Sequence, residues 1–149
     1  MMIVHKTIAS IFGIGYSKGG GTIAAAFCCA VLFFSHAIND KIVLLIAAFS
    51  VTIIGVWSST TVEKEWGEDS SKVVIDEVAG MLVSLLWLPP TLSYIIAAFV
   101  LFRFFDIVKP LFIKKIENIK GGWGVMLDDV VAGIYTNVIL QLCVFLNLF

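Results

Sequence analysis

The sequence predicts an all-α integral membrane protein of about five transmembrane helices with an N-terminal interfacial segment. Three observations carry that expectation. Hydrophobic residues make up 60% of the 149-residue chain and charged residues only 14%, whereas soluble domains are about half apolar and about a quarter charged. Long stretches have no formal charge at all. One of those stretches is cut by Pro89-Pro90, which turns a single over-long run into two spans.

The runs Thr22–Ile38, Ile42–Val62 and Val130–Phe149 each approach the ~20 apolar residues that a crossing needs. The fourth, Val78–Phe102, needs a decision. A single helix from Val74 to Val108 would be about 52 Å long at ~1.5 Å per residue, far more than the ~30 Å hydrocarbon core. Pro-Pro removes two amide donors and disfavours helix before it. The expected structure is a hairpin: helix to about Leu88, turn at Pro89-Pro90-Thr91, helix back to about Val108. Met1–Phe12 is short and mixed, which fits an interfacial helix and not a cleaved leader. The whole of 1–149 reads as one domain.

Five spans put the N-terminal segment, the 63–73 loop and the 109–127 loop on one side. That side holds Lys6, Lys18, Lys64, Lys72, Lys109, Lys114, Lys115 and Lys120, with Arg103 near it, against Lys41 alone on the other. The lysine-rich side is therefore expected to be cytoplasmic. All acidic residues except Asp40 fall there too. Net charge is −1, so nothing points to nucleic acid. Cys28, Cys29 and Cys143 lie in apolar runs without a Cys-x-x-Cys, and His5 and His36 are isolated, so zinc is not expected.

Against this background an acidic pair followed by Ala-Gly occurs twice. One copy is Asp76-Glu77-Val78-Ala79-Gly80; the other is Asp128-Asp129-Val130-Val131-Ala132-Gly133. Carboxylates at membrane depth are costly and mark function. On a helix Asp76 stacks with Gly80 and Asp129 with Gly133, and small residues let helices approach closely. Two such helices can gather four carboxylates around a hard cation such as Mg²⁺. For one pair alone, acids complementing a helix N-terminus explain as much. The run Phe102–Pro110 places Arg103, Asp106 and Lys109 roughly along one helical side, where two cations flanking an acid can hold phosphate. Gly13–Thr22 and Gly121–Gly124 are glycine-rich turns; each is either an anion-binding loop, with Lys18 and Thr22 in the first, or a plain membrane-entry turn. Thr136, Asn137 and Gln141 are expected to bond between helices.

These blocks resemble the phosphatidylglycerophosphatase A family from about Phe12 to Tyr135. The resemblance rests on Gly21-Thr22, Val73–Gly80, Phe102–Pro110 and Gly121–Gly133, in that order. It implies Mg²⁺-dependent removal of the terminal phosphate from phosphatidylglycerol phosphate, an anionic phospholipid, at the cytoplasmic face of a bacterial inner membrane. It implies an acidic centre of Asp76, Glu77, Asp128 and Asp129, with Arg103, Asp106 and Lys109 as companions and Asp69 upstream. Metal-binding then falls to Asp76, Glu77, Asp106, Asp128 and Asp129, catalysis to Asp76, Glu77 and Asp129, and substrate-binding to Lys18, Thr22, Arg103 and Lys109. Ser17 and Gly20 stand where the family carries prolines, Glu68 and Ser70 where it carries histidines, and Phe112 replaces a proline. Attack by an activated water, with Asp129 or Glu77 as base, and an aspartyl-phosphate route both remain open. Two rivals are weaker. A CDP-alcohol phosphotransferase would show an Asp-Gly-x-x-Ala-Arg signature, which is absent. A small cation transporter would string its carboxylates across the bilayer, not crowd them at one face.

Overall fold

The computed structural model describes residues 1–110, 113–116 and 119–148; Leu111, Phe112, Glu117, Asn118, Phe149 and the side chain of Lys115 lie outside the described residues. The Phe112 departure, the Lys115 part of the basic loop and the last residue of the fifth span therefore fall outside them. Every element among the described residues is helical: α1 Met2–Ala9, α2 Gly20–Phe34, α3 Lys41–Trp66, α4 Ile75–Ser84, α5 Leu92–Val108, α6 Ile113–Ile116 and α7 Gly122–Phe145, with 3₁₀ turns at Ile14–Tyr16 and Ala37–Asn39. Two of them, α3 and α7, are long and apolar enough to cross a membrane.

Asp40 starts α3, its carboxylate accepting from the Ile42 and Val43 amides at 3.0 and 3.1 Å. The helix then runs past the expected end at Val62 to Trp66. Glu63, Lys64 and Glu65 are good helix formers, Lys64 and Glu65 exposed and Glu63 half-buried beside Gly121, so charge ends the apolar run without ending the helix. Helix α1 lies against this end of α3, through a His5–Trp57 edge contact at 4.7 Å and a Lys6–Glu65 ion pair.

The hairpin forms, with a shorter first arm than expected. Helix α4 stops at Ser84, about 15 Å after it starts at ~1.5 Å per residue. Trp87 takes a left-handed backbone, φ 57°, and two prolines follow. The carbonyls left open by this early stop are capped from outside. Asn137 donates to Ser84 O and Leu86 O at 3.0 and 2.7 Å, Gln141 to Leu86 O at 3.1 Å, and Lys41 to Leu88 O. Asn137 and Gln141 thus bond between helices as expected, while Thr136 bonds to Ala132 O within its own helix. Buried carbonyls need such partners.

Helix α7 begins at Gly122, eight residues before the expected span. The stretch Gly121–Gly124 is therefore mostly helix. A Cβ on Gly122 would lie 2.3 Å from Val56 O, and its amide donates to Thr60 Oγ1 at 3.0 Å, so these glycines dock α7 onto α3. Helix α4 packs along α7 and is flanked by α3 and α2, and α5 covers α7 on the other side. The crossing of α4 and α7 is set by the two echoed glycines. A Cβ on Gly133 would meet Gly80 O at 2.4 Å, and one on Gly80 would meet Asp129 O at 2.7 Å. Phe102 packs on Gly80 at that crossing and shares one core cluster with Leu85, Leu88 and Leu140; Ala79, Val73, Ile75 and Met126 fill a second cluster against α3.

Candidate active site

Close approach at Gly80 and Gly133 sets the two acidic pairs face to face. Asp76 and Glu77 stand in the first turn of α4, where the helix N-terminus favours negative charge. Asp128 and Asp129 stand in the second turn of α7, not at its mouth, so the macrodipole explanation does not serve them. One oxygen each from Asp76, Glu77 and Asp129 lies within 4.8 Å of the others, the one gathering of three such ligands among the described residues. Asp129 is 3% exposed. Glu77 Oε2 and Asp129 Oδ2 are buried without a hydrogen-bond partner. Three gathered carboxylates with spare, dry oxygens are a poor arrangement for bare charge and a good one for a hard cation.

The remaining acids flank this trio. Asp106 accepts from Arg103, whose guanidinium also lies 3.6 Å from Glu77 Oε1. Asp128 accepts from Lys109 Nζ at 2.7 Å. Lys109 ends α5 in a left-handed conformation, φ 45°, just before Pro110. Such a turn costs a non-glycine residue about 1–2 kcal/mol; here it accompanies the return of the lysine to α7. Asp106 and Asp128 therefore border the cluster, each paired with a cation.

These groups face a cleft of about 530 Å³. Its other wall is the first glycine loop, from Gly15 to Gly21, with Lys18 at the rim. Gly21 is the closest point: a Cβ there would fall 1.7 Å from Glu77 Oε1 and 3.3 Å from Arg103 Nη1. Thr22 is exposed and not part of the cleft wall. The first glycine loop thus borders the acids, and the second serves helix packing. Asp69 lines the cleft, with Ser70, Ser71 and Lys72. Lys72 was legible only as a positive charge; in the fold it sits 6.0 Å over the Tyr16 ring and 5.6 Å over Trp66. A lysine four residues before the acidic pair was its only sequence signal.

An acidic trio, two inner cations and a glycine-lined opening thus share one cleft of a helical bundle. Residues 7–144 match the model of the phosphatidylglycerophosphatase A family, and the chain belongs to that family of lipid phosphatases. A Bacteroides thetaiotaomicron protein, whose name proposes a phosphatidylinositol-3-phosphatase, is 40% identical over 89% of each chain. Two proteins named phosphatidylglycerophosphatase A match over about half of each chain. The Haemophilus influenzae one is 42% identical over 48% of this chain and 45% of its own length. The Escherichia coli K12 one is 39% identical over 54% and 49%. No solved structure matches the chain significantly.

Proposed function

We propose that the chain releases the terminal phosphate of phosphatidylglycerol phosphate, leaving phosphatidylglycerol, at the cytoplasmic face of a bacterial inner membrane and with Mg²⁺. The observation that carries this reading is the Asp76–Glu77–Asp129 trio with its two unpartnered oxygens, set beside Arg103 and Lys109. Magnesium held by the trio would neutralise phosphate oxygens and position the reacting groups. Arg103 and Lys109 reach the same space and supply the phosphate's charge partners. Gly21, lacking a side chain, lets the first glycine loop close directly against Glu77 and Arg103. In the balanced reaction water oxygen bonds to phosphorus, the bond from phosphorus to the glycerol oxygen breaks, and the water proton passes to a carboxylate and from it to the departing glycerol oxygen. Glu77 and Asp129 each have a buried oxygen free for it.

The topology belongs to the same proposal. Helices α2, α3, α5 and α7 cross, and α4 with its capped turn forms the fifth, short limb. The lysine distribution supports a cytoplasmic site. Irregular backbone at 85–91 is admissible at membrane depth because its carbonyls are capped by Asn137, Gln141 and Lys41.

A second reading comes from the Bacteroides relative, whose name proposes a 3-phosphorylated inositol lipid. One assay decides. Purified protein in detergent is offered phosphatidylglycerol phosphate, phosphatidylinositol 3-phosphate and phosphatidic acid, with Mg²⁺ or with EDTA. Phosphate release from the first, abolished by EDTA, is expected. Preference for the inositol lipid overturns the substrate, and turnover in EDTA overturns the metal.

A further inference from the structure

Below the acidic cleft, α2 and α5 separate to leave an apolar groove of about 390 Å³. We infer that this groove holds one acyl chain of the lipid whose phosphate is bound at the acids; the inference rests on the lipid phosphatase reading above. The argument starts from spacing. Leu92, Ile96 and Phe99 line the groove and recur at helical intervals that lead to Arg103, so one stripe of α5 runs from hydrocarbon contacts up to the guanidinium facing Glu77. That stripe is about 16 Å long at ~1.5 Å per residue, so it runs from the guanidinium to the far end of α5. On α2 the opposite wall is Ala26, Cys29 and Ala30, small side chains that create the space. Phe34 closes its lower end, stacked edge-on against Phe33 at 5.5 Å. The top of α2 is Gly21, in contact with Glu77 and Arg103. The same two helices therefore carry a phosphate-facing head and an apolar trough beneath it, which is the shape of a single amphiphile.

The test uses full-length protein in detergent and two lipids with the same phosphatidylglycerol phosphate headgroup, one with oleoyl chains and one with hexanoyl chains. Ala30→Trp fills the trough from an exposed position. It should raise KM for the oleoyl lipid about tenfold, the effect of leaving some two methylenes unburied, and leave kcat/KM on the hexanoyl lipid within about twofold. Phe34→Ala, 78% exposed and so harmless to folding, should shift the preferred chain length upward. Equal effects of Ala30→Trp on both lipids, or no change in chain preference with Phe34→Ala, overturn the groove assignment. If a second copy of the chain fills the groove, Ala30→Trp changes the oligomeric mass and spares both lipids, which also overturns it. Wild-type protein inactive on both lipids refutes the phosphatase reading instead, so the two failures are distinct.

Discussion

Gly133→Ala tests whether the helix crossing builds the acidic centre. The new methyl would sit 2.4 Å from Gly80 O, a backbone atom of α4, and 3.2 Å from Val83 Cβ. Ordinary contact needs about 3.5 Å, so the helices must part by roughly 1 Å. The three ligand oxygens now lie within 4.8 Å of one another. A magnesium ion with oxygens at ~2.1 Å holds two ligands at most ~4.2 Å apart, so the native trio closes on it by a small side-chain adjustment. With α7 displaced, Asp129 must recover about three times that distance. A misplacement of about 1 Å can cost some 10²-fold in rate, while overpacking costs about 1–3 kcal/mol of stability. Phosphate release is measured against Mg²⁺ concentration, with thermal unfolding alongside. The expected result is a folded protein with weaker Mg²⁺ dependence and activity down about 10²-fold. Ile134→Ala, one residue on and 44% exposed, should change neither. Native activity with a native Mg²⁺ curve in Gly133→Ala would refute the link between the crossing and the site.

Three further outcomes are expected. Asp129→Asn should cut turnover by about 10²–10⁴-fold, and because it removes a buried like charge its melting temperature in EDTA should match or exceed wild type while the Mg²⁺-induced rise is lost; an unchanged rise would remove Asp129 from the metal set. Lys109→Met leaves Asp128 buried without that partner and should cost about 1–3 kcal/mol, which denaturant titration of Lys109→Met/Asp128→Asn should largely restore without restoring activity. Asn137→Leu uncaps Ser84 O and Leu86 O at the far end of α4, so it should destabilise by about 1–3 kcal/mol; Gln141 still reaches Leu86 O, and kcat of the folded fraction should stay near native.

The hairpin and the acid-bearing helices were legible because their signals are physical and local. Pro89-Pro90 forbids a continuous helix, and an uncharged run needs an apolar surround. The ends were less legible. Helix α3 continues through Glu63–Glu65 because these residues are good helix formers and charge ends an apolar run without ending a helix. Helix α7 starts at Gly122 because those glycines are packed against Val56 and Thr60, and a glycine needed for contact looks the same in sequence as one needed for a turn. The division of the five acids into a gathered trio and two cation-paired neighbours was not legible either. It depends on which oxygens the Gly80–Gly133 crossing turns inward, a property of two helices that are distant in the chain.

The depth of the site links these features to the kind of substrate. Asp129 lies about 10 Å along α7 from Gly122 at ~1.5 Å per residue, so the acids sit below the helix end and not on the surface. A charge there is tolerable only with partners, and the fold supplies Arg103 for Asp106 and Glu77 and Lys109 for Asp128, three of the five carboxylates. The trio keeps its unpaired oxygens, and like charges held this close favour whatever brings positive charge to them. A phosphate alone would be repelled; a phosphate with a divalent cation completes the balance. That recess is walled by Gly21 on one side and by Arg103 and Asp106 of α5 on another. Under the proposed function, this recess and trio suit a phosphomonoester accompanied by a divalent cation, whereas a transporter would string its carboxylates across the bilayer.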